Sequence, residues 1–262
     1  TIVGDCARTS VTQVFTNPHR TPLEAVHLFP LPEDGAVVAL TLTAGETVVQ
    51  AVCKERKQAE QDFAEARTMG HRAALLTQER DDVHTLAVTR IPPGEEVRVE
   101  LEVVERLEKV DGTYRWRFPT VVAPRYLTGT PIGHDGPGVL PATDQVPDAD
   151  RLQPPLRLQG GTELDLEVAV QGPVRGLACA QHAVSMELGD TLRIAPTGAT
   201  LDRDFVLAFS TAAADEVVSR AWTDGTYTLL TVEPPAEALP TVLPRDAVFV
   251  VDISGSMGGV KM

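Results

Sequence analysis

Cysteine is scarce in this chain. Cys6, Cys53 and Cys179 are the only three in 262 residues, widely spaced and without a Cys-x-x-Cys pair. So few thiols build neither a disulfide framework nor a zinc site. Buried free thiols in a reducing compartment are the expected state, which favours the cytoplasm over secretion. Aromatic residues are also sparse, at 5%, so Val, Ala, Leu and Thr must supply most of the core. No segment is apolar enough to cross a bilayer. Cations are outnumbered, with 23 Lys and Arg against 37 Asp and Glu, for a formal charge of −14. Nucleic-acid phosphates and anionic membrane surfaces both need a basic face, so neither is an expected partner. The excess negative charge is read as a solubility device. The chain opens on Thr1 rather than Met, which leaves room for a signal peptide removed upstream.

What is present is a real core and many turns. Apolar residues make up 43%, alongside 20 Pro and 20 Gly. The length suits one large domain or two ordinary ones. Residues 1–128 read as strands around one helix. Ser10–Thr16 alternates into the turn signal Asn17-Pro18, and Leu23–Leu31 is closed by Pro30 and Pro32. Val37–Leu42 and Thr47–Val52 flank Ala44-Gly45 as a hairpin.

From Lys54 to about Met69 the period changes. Ala59, Phe63 and Ala66 fall on one helical stripe, with Val52 before and Ala73 after. Arg56 and Glu60 stand one turn apart and can pair. Gly70 is a natural stop. The charged residues between these positions read as the wet face of a helix packed on a sheet through Phe63.

Strands then resume. His84–Thr89 precedes the turn Pro92-Pro93-Gly94, and Val97, Val99, Leu101 and Val103 alternate with Arg98, Glu100 and Glu102 as a half-buried strand. Asp111-Gly112 turns the chain into Tyr114-Arg115-Trp116-Arg117-Phe118, with aromatics on one face and arginines on the other. Residues 129–157 are rich in Gly and Pro, with Asp135, Asp144, Asp148 and Asp150 between them, and read as a loop or linker. Residues 158–233 read as a second β-rich layer. Leu164, Leu166, Val168 and Val170 alternate, and Gly189-Asp190 and Asp224-Gly225 mark hairpins on either side of the run Phe205–Phe209. A stiff connector, Pro234-Pro235 to Pro244, leads into residues 246–262.

That last stretch carries the chemistry. Ala247–Val251 is an apolar run that suits a strand buried on both faces, and it empties into Asp252-x-Ser254-x-Ser256. The carboxyl end of such a strand is where open α/β sheets place ligands. A carboxylate and two hydroxyls are hard oxygen donors suited to Mg²⁺, and Gly255, Gly258 and Gly259 let the backbone turn tightly around an ion. The plain alternative is a Ser/Gly turn after a core strand. The pattern resembles the metal-ion-dependent adhesion site of von Willebrand factor A domains. The resemblance implies that Asp252, Ser254 and Ser256 open a metal site for Mg²⁺. It also implies that a Thr and a second Asp from later loops complete the ligand set, beyond Met262.

The N-terminal part resembles the vault protein inter-alpha-trypsin (VIT) module. The matching pieces are Val11–Asn17, Pro22–Ala25, Phe29–Pro32, the helix with Ala59, Phe63, Ala66 and Gly70, then Ala73–Leu76, Ile91–Gly94 and Pro124-Arg125-Tyr126. VIT modules commonly precede von Willebrand A domains, so the two resemblances agree. Together they imply a mainly β (α+β) chain. It would hold a VIT β-sandwich-like domain with one packed helix at 1–128 and a loop or linker at 129–157. A β-rich connecting layer would fill 158–233, and the first strand of an α/β A domain would begin at 246–262.

Catalysis is not expected. Ser254 lacks the first Gly of a hydrolase elbow. Cys53 stands near a helix N-terminus but is read as a packed thiol. His27 and His84 sit in strand patterns and read as structural, and Glu24 and Glu79 have no partner that spacing identifies. Arg115, Arg117 and Arg125 form a local basic cluster, read as charge balance or as a site for an acidic partner or anionic glycan. The leading expectation is a non-catalytic scaffold or interaction protein that offers a partner's Asp or Glu a cation-dependent handle. The alternatives are a secreted or surface adhesion protein binding matrix glycan, and an unrecognised hydrolase.

Overall fold

The computed structural model describes residues 1–122, 127–136, 138–153, 155, 161–211, 217–223 and 225–234. Strand β1 (Ile2–Val3) and the long β2 (Cys6–Thr16) lead into β3 (Leu23–Pro30), and β4 (Ala36–Ala44) and β5 (Thr47–Gln50) form the expected hairpin. Helix α1 (Arg56–Thr68) is followed by β6 (Ala74–Arg80), β7 (Val83–Ile91) and β8 (Glu96–Arg106). Strands β9 (Glu108–Val110) and β10 (Thr113–Phe118) make a second hairpin. Its turn has Asp111 at φ 48° and Gly112 at φ 76°, the paired positive angles of a type I′ turn that matches strand twist.

An excursion of short elements comes next: β11 (Pro131–Gly133), β12 (Ala142–Thr143) and helix α2 (Ala149–Leu152). Then come β13 (Val168–Gln171), β14 (Arg175–Ala178), β15 (Val184–Glu187), β16 (Thr191–Pro196) and β17 (Phe205–Ser210). Thr1–Ala213 is one compact unit. In the second unit, Ala214–Met262, a hairpin of β18 (Val218–Thr223) and β19 (Thr228–Glu233) is described. Leu229, Leu230 and Val232 on it are exposed, while Arg220 Nη1 donates to Glu233 Oε1 at 2.8 Å.

One large sheet organises the first unit, in the order β15-β16-β13-β1-β2-β8-β4-β5. Its spine is the antiparallel pair β2–β8, in register from Cys6 opposite Arg106 to Thr16 opposite Glu96. At one end, the sheet β3-β7-β6 joins it around an aliphatic core. The period-two alternation along β8 puts Val97, Val99, Leu101 and Val103 in that core, with Leu42, Leu86 and Val88 against them. Each such side chain removed from water stabilises the fold by roughly 1.5–3 kcal/mol.

At the other end, the sheet β14-β17-β10-β9 closes a second core. Ile2, Val168, Val170 and Ile194 come from the large sheet; Tyr114, Trp116, Phe205, Leu207 and Phe209 come from the opposing one. Tyr114 and Trp116 of β10 are buried, Phe118 is half-buried, and Arg115 and Arg117 are exposed, the two-faced pattern expected. The second core is stitched from distant pieces. Strand β1 pairs in parallel with β13, Ile2 opposite Val170, and Leu107, just past β8, is buried there.

The expected strand segments therefore recur as β2, β3, β4, β5, β7, β8, β10, β13, β15, β16, β17, β18 and β19, with ends shifted by a few residues. Helix α1 is shorter than the 54–69 pattern and none of its residues is buried. Its inward stripe is nonetheless Ala59, Phe63 and Ala66, all half-buried, and Gly70 follows it at φ 71°.

Candidate functional site

The three residues expected to open a metal site, Asp252, Ser254 and Ser256, lie outside the described residues, as do the 247–251 strand and Arg125. Among the described residues, no three His, Cys, Asp or Glu converge as a metal ion would need. No described helix is long and apolar enough to cross a membrane.

The polar geometry that is described concentrates around α1 and the excursion at 131–153. Glu79 on β6 keeps only 6% of its side chain exposed. Arg56 Nη1 of α1 lies 3.6 Å from one carboxylate oxygen and Arg151 Nη1 of α2 lies 2.6 Å from the other. Arg56 also donates to the Gln78 carbonyl and stands 3.9 Å from Glu60, the one-turn pair expected. Next to it, Arg80 Nη2 donates to Asp148 Oδ1 at 2.7 Å, across 68 residues of sequence.

The Asp-rich stretch is therefore fastened rather than free. Asp150 Oδ2 accepts the backbone N–H groups of Asp135 and Gly136, both at 2.9 Å, and these bonds pull its carboxyl below the usual range. Asp144 Oδ1 accepts the Thr130 N–H at 2.7 Å. Ala149 and Leu152 of α2 are buried. A segment rich in turn residues reads as a linker from composition alone, because its anchors lie elsewhere in the chain.

Between these elements and the sheet β3-β7-β6 lies a cleft of about 730 Å³. A second, of about 480 Å³, runs between α1, β4 and β6 and includes Phe63 and Cys53. Cys53 and Cys6 are exposed and Cys179 is half-buried, which corrects the expectation of buried thiols. Cys53 sits in an extended link, 51–55, whose residues are all exposed, so nothing packs over it.

Two further groups hold the first sandwich in register. Asn17 is fully buried. Its Nδ2 donates to the carbonyls of Thr21 at 2.8 Å and Ile91 at 2.7 Å, and its Oδ1 accepts the His19 N–H at 2.9 Å. Its own carbonyl accepts from Gly94, so the two expected turns are tied together. Arg72 makes a two-pronged pair with Glu95 at 3.0 and 2.8 Å, with both side chains about a quarter exposed.

His27 and His84 both lie against aromatic side chains. His27 stacks on Phe29 with ring centroids 5.4 Å apart and meets Phe15 edge-on at 5.6 Å. Burial lowers its pKa. His84 is 5% exposed with Nδ1 unpartnered. Burial lowers its pKa too, against the opposing charges of Asp82 and Glu79. Glu105 behaves inversely: burial raises its carboxyl, opposed by the Trp116 Nε1–H it accepts at 2.8 Å. Spacing found none of the ion-pair partners of Glu24 or Glu79. Glu24 pairs with Arg67 at 2.6 Å, and Arg117 with Asp204, so one arm of the expected basic cluster is neutralised.

Comparison with known proteins places this geometry. Residues 1–103 match the family model of the vault protein inter-alpha-trypsin domain. Protein mono-ADP-ribosyltransferase PARP4 of Homo sapiens is 31% identical over 123 residues, covering 47% of this chain and 7% of its own length. Von Willebrand factor A domain-containing protein 5A of Mus musculus is 32% identical over 115 residues, 43% of this chain and 14% of its own length. Inter-alpha-trypsin inhibitor heavy chain H6 of Homo sapiens is 26% identical over 277 residues, covering 100% of this chain and 19% of its own length. The chain thus spans less than a fifth of each of these relatives. The names of the second and third are consistent with a VIT domain followed by the start of a von Willebrand A domain.

Proposed function

We propose that this VIT-bearing chain is a non-catalytic interaction protein, in which a rigid β-scaffold presents a cation-dependent contact to a partner protein. The observation that carries the reading is the order of its parts. A VIT domain stands at the N-terminal end and Asp252-x-Ser254-x-Ser256 follows an apolar strand pattern at the other. The relatives' own names, one of them similar along the whole chain, support an interaction or adhesion role.

The donor set fits Mg²⁺ in its chemistry: one carboxylate, Asp252, and two hydroxyls, Ser254 and Ser256, all hard oxygens. Bound there, the ion would supply a positive centre for a carboxylate ligand, because neutral hydroxyls leave most of its charge unspent. The chain's own residues provide the rest. Ser254 and Ser256 would offer neutral oxygens, Asp252 would hold the cation directly or through water, and the glycines beside them would let the backbone close in. The partner is a protein that presents Asp or Glu.

The test is partner binding by the natural full-length protein with Mg²⁺ and after chelation. Binding lost on chelation and in Ser254→Ala supports the reading. Equal binding under both conditions overturns it.

A further inference from the structure

We propose that two copies of this chain join edge to edge through β5, antiparallel across a two-fold axis at Gln50, so that the large sheet runs unbroken through both. This contact is separate from the cation-dependent one and needs no metal.

The first observation is an unprotected edge. A bare strand edge offers free N–H and C=O groups to any other strand, and folds blunt such edges with proline, charge, bulges or cover. The other five described edges of the three larger sheets are blunted. Pro22 and Pro30 bracket β3. Arg56 of α1 takes the Gln78 carbonyl of β6. Strand β14 is interrupted by a register shift between Arg175 and Ala178. Strands β9 and β15 carry Glu108, Lys109 and Glu187. Strand β5 and the link after it run Thr47-Val48-Val49-Gln50-Ala51-Val52-Cys53, without proline, glycine or charge. All of it is exposed, Val48 by 61% and Val52 by 75%.

The second is the direction of the backbone. The Ala51 N–H donates to the Leu40 carbonyl at 2.9 Å, and Val49 and Thr47 stand opposite Leu42 and Ala44 in the same register. Backbone groups alternate sides along a strand, so those of Val48 and Gln50 point to the open edge, and Val52 continues the series. The side chains alternate as well. Val49 extends the buried row Val99–Leu42, and Ala51 extends Leu101–Leu40. Both rows run out at the edge with their last members exposed. A strand laid alongside continues them.

The third is self-complementarity. Laid antiparallel to its own copy with Gln50 on the axis, the segment sets Val48 opposite Val52, Val49 opposite Ala51 and Glu46 opposite Lys54, at both ends by symmetry. The pairs that would share backbone bonds, Val48 with Val52 and Gln50 with Gln50, are those whose groups point outward. Glu46 has no ion-pair partner among the described residues. Lys54 pairs with Asp62 and still keeps 45% of its side chain exposed. This register matches valine to valine and glutamate to lysine at once. One short strand pair buries less than the roughly 1,200 Å² of a standard interface, so the dimer is weak, with a dissociation constant of about 10–100 μM.

Sedimentation velocity of the natural full-length protein is expected to show monomer below that range and dimer above it. EDTA is present throughout, so that the Asp252 region contributes nothing. Gln50→Pro removes an outward N–H that β4 does not use and is expected to weaken the dimer roughly tenfold or more. Glu46→Lys and Lys54→Glu should each weaken it, and the two together should restore it, which a structural role for either residue would not do. Cross-linking reads the register. In a Cys6→Ser background, Thr47→Cys falls opposite Cys53 of the second copy, in the close pairing with about 4.5 Å between Cα atoms. Oxidised glutathione should then give a covalent dimer. Within one chain the two positions lie about 20 Å apart along the strand. The background without Thr47→Cys should give no covalent dimer. Circular dichroism reports that each variant is folded. A protein that stays monomeric well above 100 μM leaves the edge to a segment of some other protein and overturns the proposal. So does a dimer that folded Gln50→Pro and both charge reversals leave unchanged, or a Thr47→Cys variant that does not cross-link. Because EDTA is present, failure of the metal reading leaves this result untouched, and failure here leaves the metal reading untouched.

Discussion

The two sandwiches of the first unit share one sheet and differ in almost everything else. The first, around Leu101 and Val88, is mostly aliphatic, with Phe29 its one buried aromatic, and is built from strands that follow one another between β2 and β8. The second, around Trp116 and Phe205, gathers the buried Tyr114, Phe205 and Phe209 of an aromatic-poor chain. It is assembled from the first residues, the segment after β8 and residues beyond 160. Large aromatic side chains bury much area each. The residues that match the VIT family model, 1–103, hold the whole of the first core, while the second draws on both sides of that point.

The largest expected effect tests whether the shared spine makes the two cores one folding unit. Phe205→Ala empties a site with no solvent exposure and should cost about 3–5 kcal/mol; Leu101→Ala should cost about 2–5 kcal/mol. In urea melts in a Trp222→Phe background, Trp116 is the sole tryptophan, so its fluorescence reports the second core and far-ultraviolet dichroism reports the whole. Because β2 and β8 belong to one continuous sheet, Leu101→Ala should shift both signals together. A Trp116 transition that ignores Leu101→Ala would divide the unit in two.

An intermediate effect singles out the first sandwich. Asn17→Ala leaves the Ile91 and Thr21 carbonyls and the His19 N–H without their partner. The loss should be about 2–3 kcal/mol, read as a lowered denaturation midpoint. A change within a few tenths of a kcal/mol would mean that water replaces the side chain, and that the two turns are held by packing alone.

The smallest effect sets the two regions against each other in pH. His27 has a folded pKa below its ordinary 6.5 because of burial. The neutral ring is therefore favoured in the fold, and its contribution to stability is present above about pH 6.5 and is lost as pH falls below it. His27→Phe keeps a ring between Phe15 and Phe29 and should flatten that acid-side loss. Glu105, bonded to Trp116 of the second core, has its pKa raised by burial. Its contribution is present below its ordinary 4.5 and is lost as pH rises through the folded value. Glu105→Gln keeps an acceptor for Trp116 and should gain stability relative to the parent as pH rises toward neutral. Thermal midpoints across pH 4 to 8 check both; slopes of the same sign in the two variants would contradict the assignment.

How much of this was legible depended on how local each signal was. The alternation Val97–Val103 states a half-buried strand on its own, and the structure has it as β8. The stripe Ala59, Phe63, Ala66 states a helix, and Asp111-Gly112 a tight turn, because each pattern is complete within a few residues. The parallel pairing of Ile2 with Val170 was not legible, since two residues carry no period and their partner is far along the chain. The same holds for Glu79, whose arginines come from α1 and α2, and for the fastening of the Asp-rich stretch, read from composition as a loop or linker. Exposure of Cys53 was missed because composition ranks cysteine as buried, whereas its link simply has nothing above it. The candidate metal site was legible only as a sequence motif, and it lies outside the described residues.

The most direct measurement of the central claim is a calorimetric Mg²⁺ titration of the natural full-length protein beside its Asp252→Ala variant. One saturable binding heat in the parent, absent from the variant, is the result this account predicts. A parent that gives no binding heat, or a variant that gives the same one, would contradict it.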